Sequence, residues 1–256
     1  MKLRHLLVAA AAALVVSVPL AAAFDGPRAT VYFLHGETLR ATDREVAGEG
    51  LQGHIEVLFA GPTAQQRAQG LTSAVPRGTK VRSVWIQNGT ATIDVANRFQ
   101  SGGGSLSMTA RLAQLVYTAT ALDGVKRVEL KLNGKKVEAI GGEGILVDTP
   151  RTRAHFARLL PKLALETPAQ GATLKRGRVT VKGTAQTRSS SFTLVLTDGD
   201  GLIAARKVVR VEAGARVPFS ATLAFAPEKP GWGAVIAYEG TAGRQQNLVE
   251  IPVRVG

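Results

Sequence analysis

Residues 84–95 read VWIQNGTATIDV, and this stretch decides how the first half of the chain folds. Apolar and polar residues alternate on both sides of Asn88-Gly89. This pair is typical of a type I′ turn, because both central residues of such a turn need a positive φ. Residues 128–137, which read VELKLNGKKV, repeat the pattern around Asn133-Gly134. The sequence therefore predicts two β-hairpins.

A long amphipathic helix is predicted between the two hairpins. Ser105 stands where a side chain can cap this helix, and Gly124 stands where the helix can end. Apolar side chains recur every three or four residues over four turns, which is the spacing of one helical face. They are Met108, Leu112, Leu115, Val116, Ala119 and Leu122.

A shorter helix is predicted at residues 52–60, upstream of the first hairpin. Gly61 and Pro62 end it, and Thr63 begins a capping box for one further turn. A first strand is predicted at residues 31–34. Helices that alternate with antiparallel hairpins indicate an α+β two-layer sandwich, in which the helices cover one face of a sheet.

The second half of the chain changes to an alternation with a period of two. Residues 148–162 are predicted to be a linker with a short amphipathic helix, which Phe156, Leu159 and Leu160 would dock. From Leu163 onward, short alternating segments are divided by glycine and proline turns, which predicts an all-β sandwich of the immunoglobulin type. These segments are residues 178–182, 191–196, 208–211, 218–225, 234–238 and 249–255.

Residues 1–23 are predicted to be a signal peptide. Lys2 and Arg4 precede an apolar run, and alanines before and at Ala23 suit a cleavage site. The alternative is an uncleaved membrane anchor, which would be the protein's only contact with a membrane. The chain is therefore expected outside the cytoplasm, in the cell envelope. Its predicted domains are residues 30–147 and residues 163–256. The chain has no cysteine, so a disulfide bond stabilises neither of them.

The net charge of +13 is distributed unevenly. Residues 30–147 hold 13 Lys and Arg against 10 Asp and Glu, whereas residues 148–256 hold 16 against 8. A basic domain outside the cell is expected to attract anionic wall polymers or lipid headgroups. The alternative is an ordinary solvated surface. Nucleic acid is not an expected partner, because no stacking motif is interleaved with the basic residues.

No pattern in the sequence predicts a catalytic, cofactor or metal site. His35, His54 and His155 lack the spacing of a zinc site, and there is neither a thiol nor a Gly-x-Ser-x-Gly motif. Residues 101–105 (SGGGS) are either an anion cradle or, as we favour, a flexible connection to the helix. Residues 198–201 (DGDG) are interpreted as a hairpin turn rather than a calcium loop. We expect no enzymatic activity and no cofactor.

One surface is a candidate for binding a partner. In the first hairpin, Trp85 and Gln87 point away from Val84 and Ile86, and helices cover only one face of a two-layer sandwich. Trp85 and its neighbours are therefore predicted to form a docking face, because tryptophan is favoured at the centres of interfaces. The alternative is that the linker helix or the second domain covers Trp85. The face consists of Trp85, Gln87, Asp94, Glu129 and Lys131.

Several motifs of the first half occur in an order that resembles the GerMN domain of sporulation and spore germination proteins. They are residues 58–63 (LFAGPT), 70–71 (GL) and 75–79 (VPRGT), then the first hairpin, and then residues 99–105 (FQSGGGS). The resemblance implies a structural role for Gly61, Pro62, Thr63, Gly102, Gly103, Gly104 and Ser105. It also implies similarity to the ring-building motifs of sporulation envelope complexes, and hence self-association or partner docking without turnover.

The second half resembles the immunoglobulin-like domain found after GerMN in spore germination proteins. Residues 156–161 (FARLLP), 166–174 (ETPAQGATL) and 181–185 (VKGTA) carry the resemblance, and residues 186–191 (QTRSSS) depart from it. Together the two resemblances imply a non-catalytic envelope protein that assembles with another envelope protein or with itself. The alternative is a protein that binds a wall polymer through its basic C-terminal domain.

Overall fold

The computed structural model describes residues 26–48, 50–142, 144–241 and 244–256, so the predicted signal peptide lies outside the described residues. The chain starts with a hairpin of β1 (Arg28–His35) and β2 (Thr38–Glu45). β3 (Leu71–Thr72) pairs with the end of β1 and completes a sheet of order β2-β1-β3. β2 is not predicted from the sequence, because its charged side chains obscure the alternation that buries Leu39 and Ala41.

The described part of the first domain has three α-helices, α1 (Gly50–Ala60), α2 (Ala64–Ala68) and α3 (Ser105–Ala119), and a 3-10 helix, Asn97–Gln100. The predicted capping box of α2 is confirmed, because Thr63 and Gln66 exchange hydrogen bonds between side chain and backbone. The prediction that Ser105 caps α3 is wrong. Gly104 is the N-cap and Ser105 is the first helical residue, because the extended backbone of Gly104 already directs its carbonyl to the Met108 amide.

α3 also ends earlier than the sequence predicts. Its last residue is Ala119, one turn before Gly124, and Leu122 lies in the tight turns that follow. The Thr120 hydroxyl donates to the Val116 carbonyl at 2.7 Å, so a side chain satisfies an acceptor at the helix end. Every residue from Met108 to Ala119 is buried, so the helix is enclosed on all sides rather than along one stripe.

Both predicted Asn-Gly hairpins are confirmed. β4 (Val81–Gln87) turns at Asn88-Gly89 into β5 (Thr90–Val95), and β6 (Arg127–Leu132) turns at Asn133-Gly134 into β7 (Lys135–Lys136). All four turn residues have a positive φ. β5 and β6 pair in parallel, so the four strands form a sheet of order β4-β5-β6-β7. The domain is an α+β sandwich whose strands are divided between separate sheets instead of the single sheet predicted. The small pair β8 (Ala139–Ile140) and β9 (Ile145–Leu146) follows.

The linker contains the predicted short helix as a 3-10 helix, Arg153–Leu159. Phe156, Leu159 and Leu160 are buried, as predicted, and they pack into the core of the first domain. Arg151 exchanges two backbone hydrogen bonds with Val128, each 2.8 Å long, so the linker runs along the edge of β6.

The second domain is an all-β sandwich with its own hydrophobic core, in which the rings of Phe192 and Phe219 meet edge to face. A three-stranded sheet of order β10-β12-β15 packs on a five-stranded sheet of order β11-β17-β16-β13-β14. This arrangement confirms the predicted immunoglobulin-like fold. The strands are β10 (Leu163–Thr167), β11 (Thr173–Leu174), β12 (Gly177–Ala185), β13 (Ser191–Thr197), β14 (Ile203–Arg210), β15 (Val217–Phe225), β16 (Gly231–Glu239) and β17 (Gln246–Val255).

None of the helices in the described part of the chain has the length and apolar character needed to cross a bilayer. The DGDG stretch forms the turn between β13 and β14. There the buried Asp198 carboxylate accepts hydrogen bonds from the backbone amides of Asp200 and Leu202, so it stabilises a turn. The exact limits of the two domains stay a prediction, because Ala164 and Ala169, which follow the linker, pack in the first core.

Candidate partner-binding face

One face of the β4-β5-β6-β7 sheet carries the predicted docking residues. The strand register places Trp85 opposite Thr92 and Thr92 opposite Glu129, which forms one cross-strand row. In the next row, Asp94 lies beside Lys131. Gln87 lies opposite Thr90. The five predicted residues, Trp85, Gln87, Asp94, Glu129 and Lys131, therefore project from the same face, which we call the Trp85 face.

Trp85 is 41% exposed, so neither the linker nor the second domain buries it in the described structure. The Lys131 ammonium lies 4.8 Å from the centre of the indole ring, within range of a cation–π interaction. Ile86 on the opposite face is also exposed, although the sequence analysis directs it towards the core. The reason is that β4 is the edge strand of its sheet, so it has a neighbouring strand on one side only.

The two carboxylates of the Trp85 face are already engaged by other groups. Asp94 is buried and accepts hydrogen bonds from Arg82 Nε at 3.2 Å and from the Gly134 amide at 2.8 Å. Glu129 pairs with Lys136, whose Nζ lies 3.1 Å from its Oε1. Asp94 therefore ties the first hairpin to the second turn, and only Glu129 remains partly open to solvent.

A shallow cleft of about 630 Å³ lies beside Trp85 on the same face. The Arg127 guanidinium donates to the Thr90 hydroxyl at 2.7 Å, which fixes it along one wall. Thr152 and Pro150 of the linker form the opposite wall. The sequence analysis did not include Arg127 or Thr152. The alternation of the hairpin could have predicted that Thr90 lines this cleft. The positions of Arg127 and Thr152 depend on the parallel pairing of β5 with β6 and on the path of the linker, which the sequence does not show.

The motif residues Gly61, Pro62 and Thr63 hold the connection between α1 and α2. Gly61 has a φ of +77°, and its carbonyl accepts a hydrogen bond from Arg44 at 3.1 Å. The Pro62 carbonyl accepts one from Arg67. These contacts belong to the folded framework and lie on different elements from the Trp85 face.

The glycine-rich segment before α3 wraps around a cation of its own chain. The Arg111 guanidinium donates to the carbonyls of Phe99, Ser101 and Gly102, and to that of Ala74. Gly102 and Gly103 both have a positive φ, which turns the carbonyls of the segment inward. The segment therefore presents acceptors to Arg111, which is the opposite of an anion cradle. Gly104 and Ser105 then begin α3.

A cluster that the sequence analysis missed joins the linker to both domains. The Arg153 guanidinium lies 5.4 Å from the ring centre of Tyr32 and 4.9 Å from that of Tyr117. It also donates to the Thr120 hydroxyl at 2.8 Å and to the Glu166 carboxylate of β10 at 2.9 Å. No local pattern marks these residues, because they come from four distant parts of the chain.

Burial raises the pKa of Tyr32, and it raises the pKa of Tyr117 to about 12, although the Arg153 charge acts in the opposite direction on both. Both phenols are therefore neutral at physiological pH, and Glu166 is the anionic partner of Arg153. Burial also lowers the pKa of His35 and that of His54. Within the described residues, His, Cys, Asp and Glu side chains do not gather in groups of three that could hold a metal ion.

The fold and this face define a class of two-domain protein, in which an α+β domain with an open sheet face precedes an immunoglobulin-like sandwich. Residues 30–138 match the family of sporulation and spore germination domains called Germane, and residues 162–242 match Gmad2, the immunoglobulin-like domain of bacterial spore germination. The chain is a GerMN domain protein with a C-terminal immunoglobulin-like spore germination domain, which confirms both resemblances.

Solved structures similar to this chain include domains of the sporulation protein GerM from Bacillus subtilis. The first GerMN domain of that protein is 19% identical and gives a TM-score of 0.43, with 50% of this chain and 98% of that chain covered. The tandem GerMN domains are 16% identical and give a TM-score of 0.44, with 75% of this chain and 61% of that chain covered. A search among curated proteins gave no match.

Proposed function

We propose that this chain is an exported, non-catalytic protein of the cell envelope whose first domain binds another envelope protein, or a second copy of itself, through the Trp85 face. The observation that carries the proposal is the 41% exposure of Trp85 on a sheet face that the described parts of the chain leave open. A large aromatic side chain in that position contributes binding energy when a partner removes it from water.

The chemistry of the face supports binding rather than turnover. Asp94 and Glu129 are engaged by Arg82 and Lys136, so both carboxylates act as partners of neighbouring cations within the fold. The families matched by both domains belong to sporulation and spore germination. Export is supported by the signal-peptide pattern of residues 1–23.

The chain supplies a matched control for testing the Trp85 face. Trp232 is 42% exposed, and Arg254 lies 4.9 Å from its ring centre, so its surroundings resemble those of Trp85 in kind. We expect Trp85→Ala to weaken binding to an envelope partner, or self-association, by more than about 2 kcal/mol, and Trp232→Ala to leave it unchanged.

The measurement has two parts. Sedimentation equilibrium of the purified chain reports self-association, and titration with the envelope protein that cross-links to Trp85-face positions reports hetero-association. Thermal melts of both variants exclude loss of folding as the cause. Equal binding by the wild type and Trp85→Ala in both assays would falsify the proposal.

A second candidate function is binding of an anionic wall polymer by the second domain. The observation that favours it is the surplus of positive charge in residues 163–256, which hold 12 Lys and Arg against 7 Asp and Glu. Outside the cell, such a surplus attracts polyanions over a range set by the Debye length, so the binding would weaken as salt is added.

A further inference from the structure

A pocket of about 490 Å³ opens at one end of the second domain, where several loops meet. Residues 186–188, between β12 and β13, form one wall, and Ala213 and Gly214, between β14 and β15, form a second. Gln246 and Asn247, which begin β17, form a third. Lys162, the residue before β10, lies on the remaining side.

The lining of this pocket is rich in hydrogen-bond donors. It contains two cationic side chains, Lys162 and Arg188, and the side-chain amide of Gln246; the side-chain amides of Gln186 and Asn247 also line it, although each already donates one hydrogen bond within the protein. The described residues that line it include no Asp or Glu. Donors on several sides of one small space match an oxyanion, which accepts hydrogen bonds at every oxygen.

A buried carboxylate beneath the pocket fixes its walls. Glu239 is 5% exposed, and its Oε1 accepts hydrogen bonds from the backbone amides of Arg188 at 2.8 Å and Ser189 at 3.4 Å. Its Oε2 accepts a hydrogen bond from the side-chain amide of Asn247, through Nδ2. Because one carboxylate holds both the Arg188 loop and the start of β17, the donors stay in place.

The loops are also bonded to each other. The Gly214 amide donates to the Thr187 carbonyl at 2.8 Å, and Gln186 Nε2 donates to the Gly214 carbonyl at 3.2 Å. Lys162 is held against the same loop, because the backbone amide of Gln186 donates to the backbone carbonyl of Lys162 at 2.8 Å. A cavity whose walls are joined by such bonds is preformed, so a ligand does not have to order it.

We propose that this pocket binds a phosphate group between Lys162 and Arg188, and that the group is carried by an anionic polymer of the cell wall. A phosphate is favoured over a carboxylate because its tetrahedral oxygens point in several directions, towards donors on several sides, whereas the two oxygens of a carboxylate lie in one plane. The inference rests on the second candidate function and gives it a site. It also assigns a role to residues 186–188, which belong to the stretch that departs from the family resemblance.

The test compares two double variants of the exported chain. Lys162→Gln/Arg188→Gln removes both pocket cations, whereas Arg178→Gln/Lys182→Gln removes two exposed cations from the outer face of β12 and changes the net charge equally. Calorimetric titration with inorganic phosphate at low salt should show at least a tenfold loss of affinity for the pocket variant and less than a twofold loss for the control. Equal losses, or no loss in the pocket variant, overturn the proposal.

A second arm identifies the source of the phosphate. Wild-type chain should co-sediment with wall sacculi that carry a phosphate polymer and not with stripped sacculi, and the pocket variant should bind neither. Binding of inorganic phosphate at the pocket without any binding to sacculi supports the site and contradicts the wall-polymer function. Binding of both variants to polymer-bearing sacculi, with loss above about 0.5 M salt, supports the function and contradicts the site.

Discussion

At the scale of single residues, Arg153 joins several segments that are distant in the chain. Its guanidinium stacks against two buried tyrosine rings and bonds to Thr120 of the first domain and Glu166 of the second. A planar guanidinium suits this position better than an ammonium, since it stacks on rings and donates in several directions of one plane. Arg153 is therefore expected to stabilise the junction between the domains.

Arg153→Ala should lower the free energy of unfolding by about 2–3 kcal/mol, because the guanidinium donates to the Glu166 carboxylate and, at 3.3 Å, to the Tyr117 carbonyl, and both would lose this donor. Arg158→Ala is the control, because Arg158 lies exposed in the same 3-10 helix and should change stability by less than about 0.5 kcal/mol. Urea titration of both variants measures the difference. Similar values for the two would show that the cluster contributes nothing.

At the scale of elements, the start of α3 depends on the backbone of the glycine-rich segment. Gly103 has a φ of +82°, and a Cβ atom added there would lie 2.6 Å from Ser107 Oγ and 2.7 Å from Ser107 Cβ. Both the positive φ and the lack of space require glycine at this position. The turn places the Gly102 carbonyl on Arg111, so the conformation of one loop also satisfies a buried cation of the helix.

Gly103→Ala should destabilise the chain by about 1–3 kcal/mol, because the backbone strain and the contact with Ser107 act together. Gly142→Ala is a suitable control, since a Cβ atom there meets nothing within 4 Å and Gly142 does not have a positive φ. Thermal unfolding followed by circular dichroism distinguishes the two. A melting temperature of Gly103→Ala equal to that of the control would contradict the role assigned to Gly103.

At the scale of the whole molecule, the two domains share backbone hydrogen bonds. The Asp43 amide of β2 donates to the Gln170 carbonyl at 2.8 Å, and the Gln170 amide donates to the Ala41 carbonyl at 3.0 Å. The next residue, Gly171, donates to Pro252 of β17 at 2.9 Å. One short segment is therefore bonded to a strand of each domain, so the loss of one domain's structure removes partners from the other.

We expect the two domains to unfold in one cooperative transition. The chain has two tryptophans, one in each domain, so Trp85→Phe leaves Trp232 as the fluorescence probe and Trp232→Phe leaves Trp85. Urea midpoints from the two variants should coincide. Gln170→Ala should lower both midpoints, because it removes the buried side-chain bonds to Gln69 and Arg40. Separate midpoints in the single-tryptophan variants would mean that the domains unfold independently.

The amino-acid sequence was sufficient to predict the turns, caps and strands that depend on residues close together in the chain. The Asn-Gly turns, the capping box at Thr63 and the alternating strands of the second domain depend on residues close together in the chain, so their backbone preferences could be read directly. Alternation on the first hairpin also placed Trp85 on the face away from the helices, but it left open whether the linker or the second domain covers this side chain. β2 was missed and Ser105 was misplaced, because charged side chains and an adjacent glycine changed the local pattern.

The contacts between these elements could be seen only in the tertiary structure. The parallel pairing of β5 with β6 brings Arg127 to Thr90, and the path of the linker brings Thr152 to the same cleft. Glu239 contacts Arg188 across 51 residues of chain, and Arg153 contacts Tyr32 across 121 residues. Such contacts form because burial and hydrogen bonding reward long-range closure, a balance that no short stretch of sequence contains.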